Sequence, residues 1–93
     1  MSARIRFRDS VRVRLSADRG FLFEEQSGRV YSLNASAAVA AARIQAGMDD
    51  PDVLEVVLAT FDVDEPTARR DFDRFTRTLV DEGLATMEER GGG

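Results

Sequence analysis

The first third of the chain alternates apolar and polar residues with a period of two. In residues 11–15, valine and leucine alternate with arginine, which is the pattern of a half-buried β-strand. Segments 21–25 and 29–33 carry aromatic and β-branched residues that suit a pleated surface, and the short break at Gly28 between them favours a hairpin. The pattern therefore predicts three strands, at 11–15, 21–25 and 29–33, with a turn at 16–20 after the first.

The period changes to that of a helix after Asn34. Asn34, Asp50 and Asp64 are residue types that cap helix N-termini, and Gly47 and Gly83 suit the left-handed position that ends a helix. Between these boundaries apolar residues recur at i, i+3, i+4 and i+7, the spacing of one buried helix face. The first helix is rich in alanine, whose small side chain lets a helix lie close against a sheet. The predicted helices are 35–46, 51–61 and 65–82.

The order of these elements predicts an α+β protein with a winged-helix-like fold, in which a three-stranded antiparallel sheet is followed by a three-helix bundle. We assign a single domain to residues 11–87, in which 84–87 form a short extended piece. Residues 1–10 are expected to be a flexible basic start, and residues 88–93, which end in three glycines, a disordered tail. A strand at the edge of such a sheet has unpaired backbone donors and acceptors.

The composition argues against an enzyme. The 93 residues, 43% of them hydrophobic and 32% charged, fit one globular domain with little material for a deep internal active site. The sequence has neither cysteine nor histidine, which removes thiolate nucleophiles, sulfur-ligated zinc and the commonest proton shuttle near neutral pH. We therefore expect a non-catalytic protein with no cofactor and no metal, and binding is the stronger hypothesis.

The start of the chain also bears on location. Its arginines are not followed by the apolar run that a secretory signal needs, and no segment is apolar enough to span a membrane. The sequence therefore predicts a cytoplasmic protein without a membrane partner.

Charge is distributed unevenly along the chain. Residues 1–20 contain six arginines and two aspartates, whereas residues 49–93 contain five arginines and thirteen acids. All thirteen basic residues are arginine, for which a GC-rich coding bias is the simplest explanation. Arginine nevertheless offers planar, bidentate donors to carboxylates, so a basic patch here would suit an acidic peptide.

The passage 21–34, FLFEEQSGRVYSLN, resembles the PqqD family. It combines a strand pair broken at a glycine with Tyr-Ser-Leu-Asn leading into a helix of small residues. The similarity continues in the third helix, where Phe72, Phe75 and Leu79 lead to a closing Gly83-Leu84. The chain departs from the family in its first helix, where alanines stand in place of the usual bulky aromatic residue. That family comprises the peptide chaperones of pyrroloquinoline quinone biosynthesis, and its wider relatives recognise precursor peptides that are made on the ribosome and then modified.

The resemblance implies that the chain is a peptide chaperone, which binds the leader of a precursor peptide as a strand added to its third strand. The bound precursor would then be presented to a modifying enzyme, a radical S-adenosylmethionine protein or, in other branches, a peptidase or cyclase. Strand addition is physically reasonable, since edge hydrogen bonds supply affinity and side-chain pockets supply specificity. The implied peptide-binding residues are Arg29, Val30, Tyr31, Ser32 and Leu33 on the third strand, and Arg69, Arg70, Asp73, Arg74 and Arg77 on the third helix.

The implied peptide-binding residues also have simpler explanations. Tyr31 and Leu33 fit a plain core position, and the arginines of the third helix fit an ordinary solvated face with weak intrahelical ion pairs. A winged-helix DNA-binding regulator is the alternative function, but residues 64–82 hold six acids and four arginines, so we expect no nucleic-acid partner. A carboxylate-based hydrolase is weaker still, because the adjacent Glu24 and Glu25 point to opposite faces of a strand. The unpaired strand edge is compatible with a monomer or a homodimer.

Overall fold

The computed structural model describes residues 2–16 and 19–90. The three predicted strands and three predicted helices are all present in the predicted order, which confirms the α+β fold. Two further strands lie at the two ends of the chain: the N-terminal one was not predicted, and the C-terminal one lengthens the extended piece expected at 84–87. In chain order the elements are β1 (Ser2–Phe7), β2 (Val11–Ser16), β3 (Arg19–Glu24), β4 (Val30–Leu33), α1 (Ala35–Gln45), α2 (Asp50–Thr60), α3 (Glu65–Asp81) and β5 (Ala85–Arg90).

The three-stranded sheet is antiparallel and has the order β2-β3-β4. One row across it pairs Val13 with Leu22 and Leu22 with Tyr31. The face that carries this row packs against the helices, and Leu22 at its centre is only 1% exposed. The strongly apolar α1 and α2 stop after 11 residues each, and no helix in the described ranges is long and apolar enough to cross a membrane.

The alanine-rich α1 lies close to the sheet, as its composition predicts. A Cβ atom placed on Gly20 would lie 3.0 Å from the Cβ of Ala38 and 3.1 Å from the backbone oxygen of Arg14. Such a short contact requires the neighbours to shift, so a side chain at position 20 would push α1 away from β3. The absence of a side chain at Gly20 and the small one at Ala38 together set the spacing between helix and sheet.

The N-terminal segment is a correction to the prediction. Residues 1–10 were expected to be flexible, but Ser2–Phe7 form β1, which pairs antiparallel with β5 in a second, two-stranded sheet. The expected tail from residue 88 is also wrong in part, since β5 continues to Arg90. Residues 91–93 of that tail lie outside the described residues.

Both terminal segments are ordered because they pair with each other and bury apolar side chains. Ile5 and Phe7 alternate with arginines, and both are buried, with Ile5 at 0% exposure. On the solvent side, Arg4 and Arg6 contact the carboxylate of Glu88 at 3.2 and 3.3 Å. The many arginines suggested a flexible segment. The apolar residues between them instead form a strand, because their burial completes the hydrophobic core.

Asp50 fastens β1 to the start of α2. In the antiparallel pair of β1 and β5, Arg8 donates its N–H to the backbone oxygen of Leu84, which places the N–H of Ile5 on the side away from β5. That N–H donates to Asp50 Oδ1 at 2.9 Å. Burial raises the pKa of the Asp50 carboxyl, and the bond from Ile5 opposes this effect. The sequence suggested that Asp50 caps its own helix. Its side chain instead accepts a hydrogen bond from β1.

We predict that Asp50→Ala lowers the free energy of unfolding by about 1–3 kcal/mol, because it leaves the buried N–H of Ile5 without an acceptor. Urea unfolding at neutral pH measures this change. Asp50→Asn keeps an acceptor oxygen and should recover most of the loss, while Asp52→Ala, which changes an exposed aspartate in the same helical turn, is the control. Equal stability of Asp50→Ala and Asp52→Ala would show that the bond to Ile5 is not important for stability.

Candidate functional site

β4 lies at an edge of the three-stranded sheet, and its strand neighbour among residues 2–16 and 19–90 is β3. The N–H of Glu24 donates to the backbone oxygen of Arg29 at 2.9 Å. Directly opposed residues of an antiparallel pair are alternately hydrogen-bonded and not hydrogen-bonded. Counting from the Glu24–Arg29 bond, Tyr31 and Leu33 are the residues of β4 whose backbone groups bond to β3.

The other two residues of β4 therefore direct their backbone groups away from the sheet. Val30 and Ser32 lie opposite Phe23 and Phe21 in non-hydrogen-bonded pairs. Each of them presents one N–H and one C=O at the free edge. An extended peptide can form hydrogen bonds with these four groups without disturbing the bonds between β3 and β4.

Side chains on β4 alternate with the same period. Leu33 is buried, and Tyr31 is half-buried against the core, so these two residues hold the strand in place. Val30 is 60% exposed and Ser32 is also exposed, on the opposite face of the sheet. Residue 29, predicted as part of this strand, lies immediately before it.

The turn between β3 and β4 is fixed by a carboxylate. Glu24 accepts a hydrogen bond from the N–H of Ser27 at 2.7 Å, and Gly28 adopts a φ of 75° that permits the turn. Hydrogen bonds from the Ser10 side chain and then from Ser27 lower the pKa of Glu24 from its ordinary value of 4.5 to about 2. The charged form of Glu24 thus stabilises the connection that positions β4.

Arg29 is held beside Tyr31 at the beginning of β4. Its Nη1 donates to the Tyr31 hydroxyl at 2.8 Å, and this bond raises the pKa of Arg29, with the charge of Glu82 adding to the effect. Arg29, Tyr31 and Glu82 also line a small cavity of about 150 Å³. Glu82 directly follows α3, so the end of α3 lies near the beginning of β4.

A larger groove of about 650 Å³ lies at the other end of β4. It is bounded by the start of α1, the end of α2 and one side of α3. Residues of α3 line this groove, and Glu82, which directly follows α3, lines the smaller cavity, so α3 extends from one end of β4 towards the other. The apolar lining is Ala35, Ala37, Ala40, Val57, Phe61, Val63, Ala68, Phe72 and Phe75, and the polar lining is Asn34, Ser36, Asp71, Arg74 and Thr78.

The predicted residues of α3 fall into two groups. Arg74 lines the groove. Arg69 instead pairs with Glu65 at 2.8 Å on the exposed side of the helix, one turn away, as expected for an ordinary solvated face. Arg70, Asp73 and Arg77 share a shallow outer surface with Arg69 and Arg74 and do not line the groove. The structure therefore places Arg74 at the groove and the other four residues outside it.

Sequence reasoning missed several groove residues because it assigned the apolar residues of α2 and α3 to the core. Phe61 and Phe75 are only partly buried, and both face the groove. Asp71 and Thr78, which share this side of α3 with Phe75, were not singled out at all. The sequence did contain a sign of this. The apolar face of α3 is wide, and Phe75 lies at its margin, beside the buried Phe72 and Leu79 rather than between them.

The described residues contain no group of three or more histidine, cysteine, aspartate or glutamate side chains placed to hold a metal ion. The candidate site consists of the outward backbone groups of β4, the apolar groove and the charged residues Asp71 and Arg74 at its rim.

The chain belongs to the PqqD family. The family model for coenzyme PQQ synthesis protein D (PqqD) matches residues 19–85, which include β3, β4 and all three helices. No curated protein sequence matches the chain.

Two solved structures are similar to the whole fold. TbiB1, solved in complex with the TbiA(beta) leader peptide, matches with a TM-score of 0.77 and 24% sequence identity, covering 95% of this chain and 98% of that chain. A lasso peptide synthetase B1, complexed with its leader peptide, matches with a TM-score of 0.74 and 26% identity, covering 88% of this chain and 96% of that chain. These similarities confirm the fold that the resemblance implied.

We predict that acid weakens the β3–β4 turn through Glu24. Because the pKa of Glu24 is lowered in the folded protein, its stabilising contribution is present above about pH 4.5 and is lost as the pH falls towards 2. Glu24→Gln should therefore lose less stability than the parent protein between pH 5 and pH 2, as measured by urea unfolding. Glu55→Gln on the exposed side of α2 is the control, and an identical acid response in both variants would contradict the assignment.

Proposed function

We propose that this protein is a non-catalytic recognition element that binds the leader of a ribosomally made precursor peptide. The leader adds to β4 as a further strand, and the bound precursor is presented to a modifying enzyme, such as a radical S-adenosylmethionine protein. The observation that carries this proposal is the free edge of β4, with Val30 and Ser32 directed outward, beside a groove bordered by α3. Membership of the PqqD family and the likeness to two leader-bound proteins support it.

The site offers the leader two kinds of interaction. The backbone groups of Val30 and Ser32 provide hydrogen bonds that do not depend on the leader sequence. The groove provides sequence dependence, because leader side chains on its side meet the half-buried rings of Phe61 and Phe75. A leader that places apolar residues on that face would bury surface worth about 25 cal/mol per Å² before the cost of ordering the peptide.

The contribution of such a protein to biosynthesis is concentration and orientation. When the leader is held near the modifying enzyme, the segment to be modified meets the enzyme at a high effective concentration, which is set by the length of peptide between the two. This role needs no acid, base or nucleophile in the binding protein. A chain that lacks both histidine and cysteine is suited to it.

The DNA-binding alternative has less support. Residues 64–82, which include α3, carry six acids and four arginines, and a helix that contacts phosphates needs a basic surface. Both similar solved structures were determined with leader peptides rather than with nucleic acid. DNA binding is therefore measured in parallel in the binding test.

The test is a fluorescence anisotropy titration of the purified protein with the labelled synthetic leader of the precursor encoded beside its gene, and in parallel with duplex DNA at physiological salt. We expect micromolar or tighter peptide binding and none to DNA. Val30→Pro should weaken leader binding by about tenfold or more, since it removes an outward N–H at the first residue of β4, where proline is tolerated.

Leu15→Pro is the matched control for Val30→Pro. Leu15 has the same outward backbone position on the opposite edge of the sheet, in β2, so leader affinity should not change. Circular dichroism and thermal unfolding check that both variants fold. DNA binding without leader binding, or unchanged leader affinity in folded Val30→Pro, would contradict strand addition to β4.

Arg74 and Arg69 test the role of the groove rim. We predict that Arg74→Glu slows association with an acidic leader, because Arg74 lines the groove, whereas Arg69→Glu changes the rate less, because Arg69 lies outside it. Stopped-flow association rates at low and physiological salt measure the difference. Equal rates for the two variants would assign Arg74 to the ordinary solvated surface of α3.

A further inference from the structure

The sheet has a second face, turned away from the helices, that carries exposed apolar side chains. Val30 is 60% exposed and Phe23 is 38% exposed, and the two residues lie directly opposite each other across β3 and β4. In a non-hydrogen-bonded pair the opposed side chains approach most closely, so the two form one patch. Phe21 continues it as a half-buried neighbour. We call Val30, Phe23 and Phe21 the outer patch.

The outer patch reaches the free edge of β4 through Val30. The same residue that directs its N–H and C=O to the edge also places its side chain on the outer face. Residues directly opposite each other on neighbouring strands have their side chains on the same face of a sheet. A peptide residue that pairs with Val30 must therefore place its own side chain on the outer face, next to Val30.

We infer that Val30 and Phe23 form a second specificity contact, which selects a leader with an apolar residue opposite Val30. This inference rests on the proposed strand addition and adds a requirement to it. The groove selects apolar leader side chains on the inner face, while the outer patch selects one on the other face. The preferred leader segment is then a short strand that is apolar on both faces, rather than one with a polar outer side.

The size of the outer patch favours the leader over a folded protein as its occupant. Two exposed side chains beside a free edge match one or two residues of an added strand. A stable interface between folded proteins buries about 800 Å² on each partner, for which this patch is small. On the β2 side the patch ends at Arg12 and Arg14, both exposed, so it is open towards the edge that the leader would use.

A cysteine scan locates the leader residue opposite Val30. The protein has no cysteine, so Val30→Cys introduces a single thiol on the outer face. Leader peptides with one cysteine at successive positions are incubated with it under mild oxidation. Directly opposed residues of a strand pair have Cα separations of about 5.5 Å, which a disulfide can span. We expect cross-linking to peak at one position, to alternate with a period of two, and to peak where the natural leader has an apolar residue.

Val30→Thr then measures the contact. Threonine keeps the backbone N–H and the branched shape of valine but replaces a methyl group with a hydroxyl. Leader affinity should fall by about two- to fivefold, and the same loss should follow when threonine replaces the leader residue opposite it. When both changes are made together, the losses should not add, because they remove the same contact. Leu15→Thr, at a 57% exposed position on the inner face of β2 and away from the outer patch, is the control for threonine at an exposed apolar position and should bind normally.

The outcomes separate this inference from the proposed function. If the parent protein binds the leader and Val30→Pro does not, but Val30→Thr binds with parental affinity, the outer contact is overturned and strand addition stands. A polar or charged leader residue at the cross-linking peak also overturns the outer contact. If the parent protein does not bind the leader at all, both the proposed function and the inference fail.

Discussion

The alternation of hydrogen bonds between β3 and β4 is the constraint on which the candidate site depends. Since Tyr31 and Leu33 use their backbone groups for β3, Val30 and Ser32 have theirs free at the edge. The same alternation sends Leu33 into the core and Val30 to solvent. A shift of one residue in this register would exchange both sets at once, burying the wrong side chains and presenting the wrong backbone groups. The register that buries Leu33 in the core is therefore also the one that directs the backbone groups of Val30 and Ser32 outward.

Several local contacts maintain that register. Glu24 fixes the turn before β4, and Asn34 fixes its end by capping α1 through a bond from the N–H of Ala37 at 2.9 Å. The position of α3 depends on the chain termini, because α3 leads through Leu84 into β5, which pairs with β1. The N-terminal strand therefore supports the position of α3, even though it takes no part in the groove.

Local patterns were sufficient to predict β2, β3, β4 and the three helices, but not β1 or its pairing with β5. The caps at Asn34 and Asp64 and the alternation around Val13 depend on neighbours within a few residues, which a sequence displays directly. Pairing of β1 with β5 joins residues 78 to 88 positions apart, and no local pattern encodes it. The groove was only partly predictable for a related reason. Whether Phe75 lies in the core or at a groove depends on how α1, α2 and α3 pack against one another, which no local pattern displays.

The sheet has two free edges in the described part of the chain, and their surroundings differ. The outward backbone groups of β2 belong to Val13 and Leu15, between which Arg14 contributes a charge of the kind that discourages strand pairing. β4 instead leads into Asn34, which lines the apolar groove, so under the proposed strand addition a leader there would gain side-chain burial as well as hydrogen bonds. A second copy of the chain that paired through β4 would occupy the same groups of Val30 and Ser32. The proposed leader binding and such a dimer would therefore exclude each other.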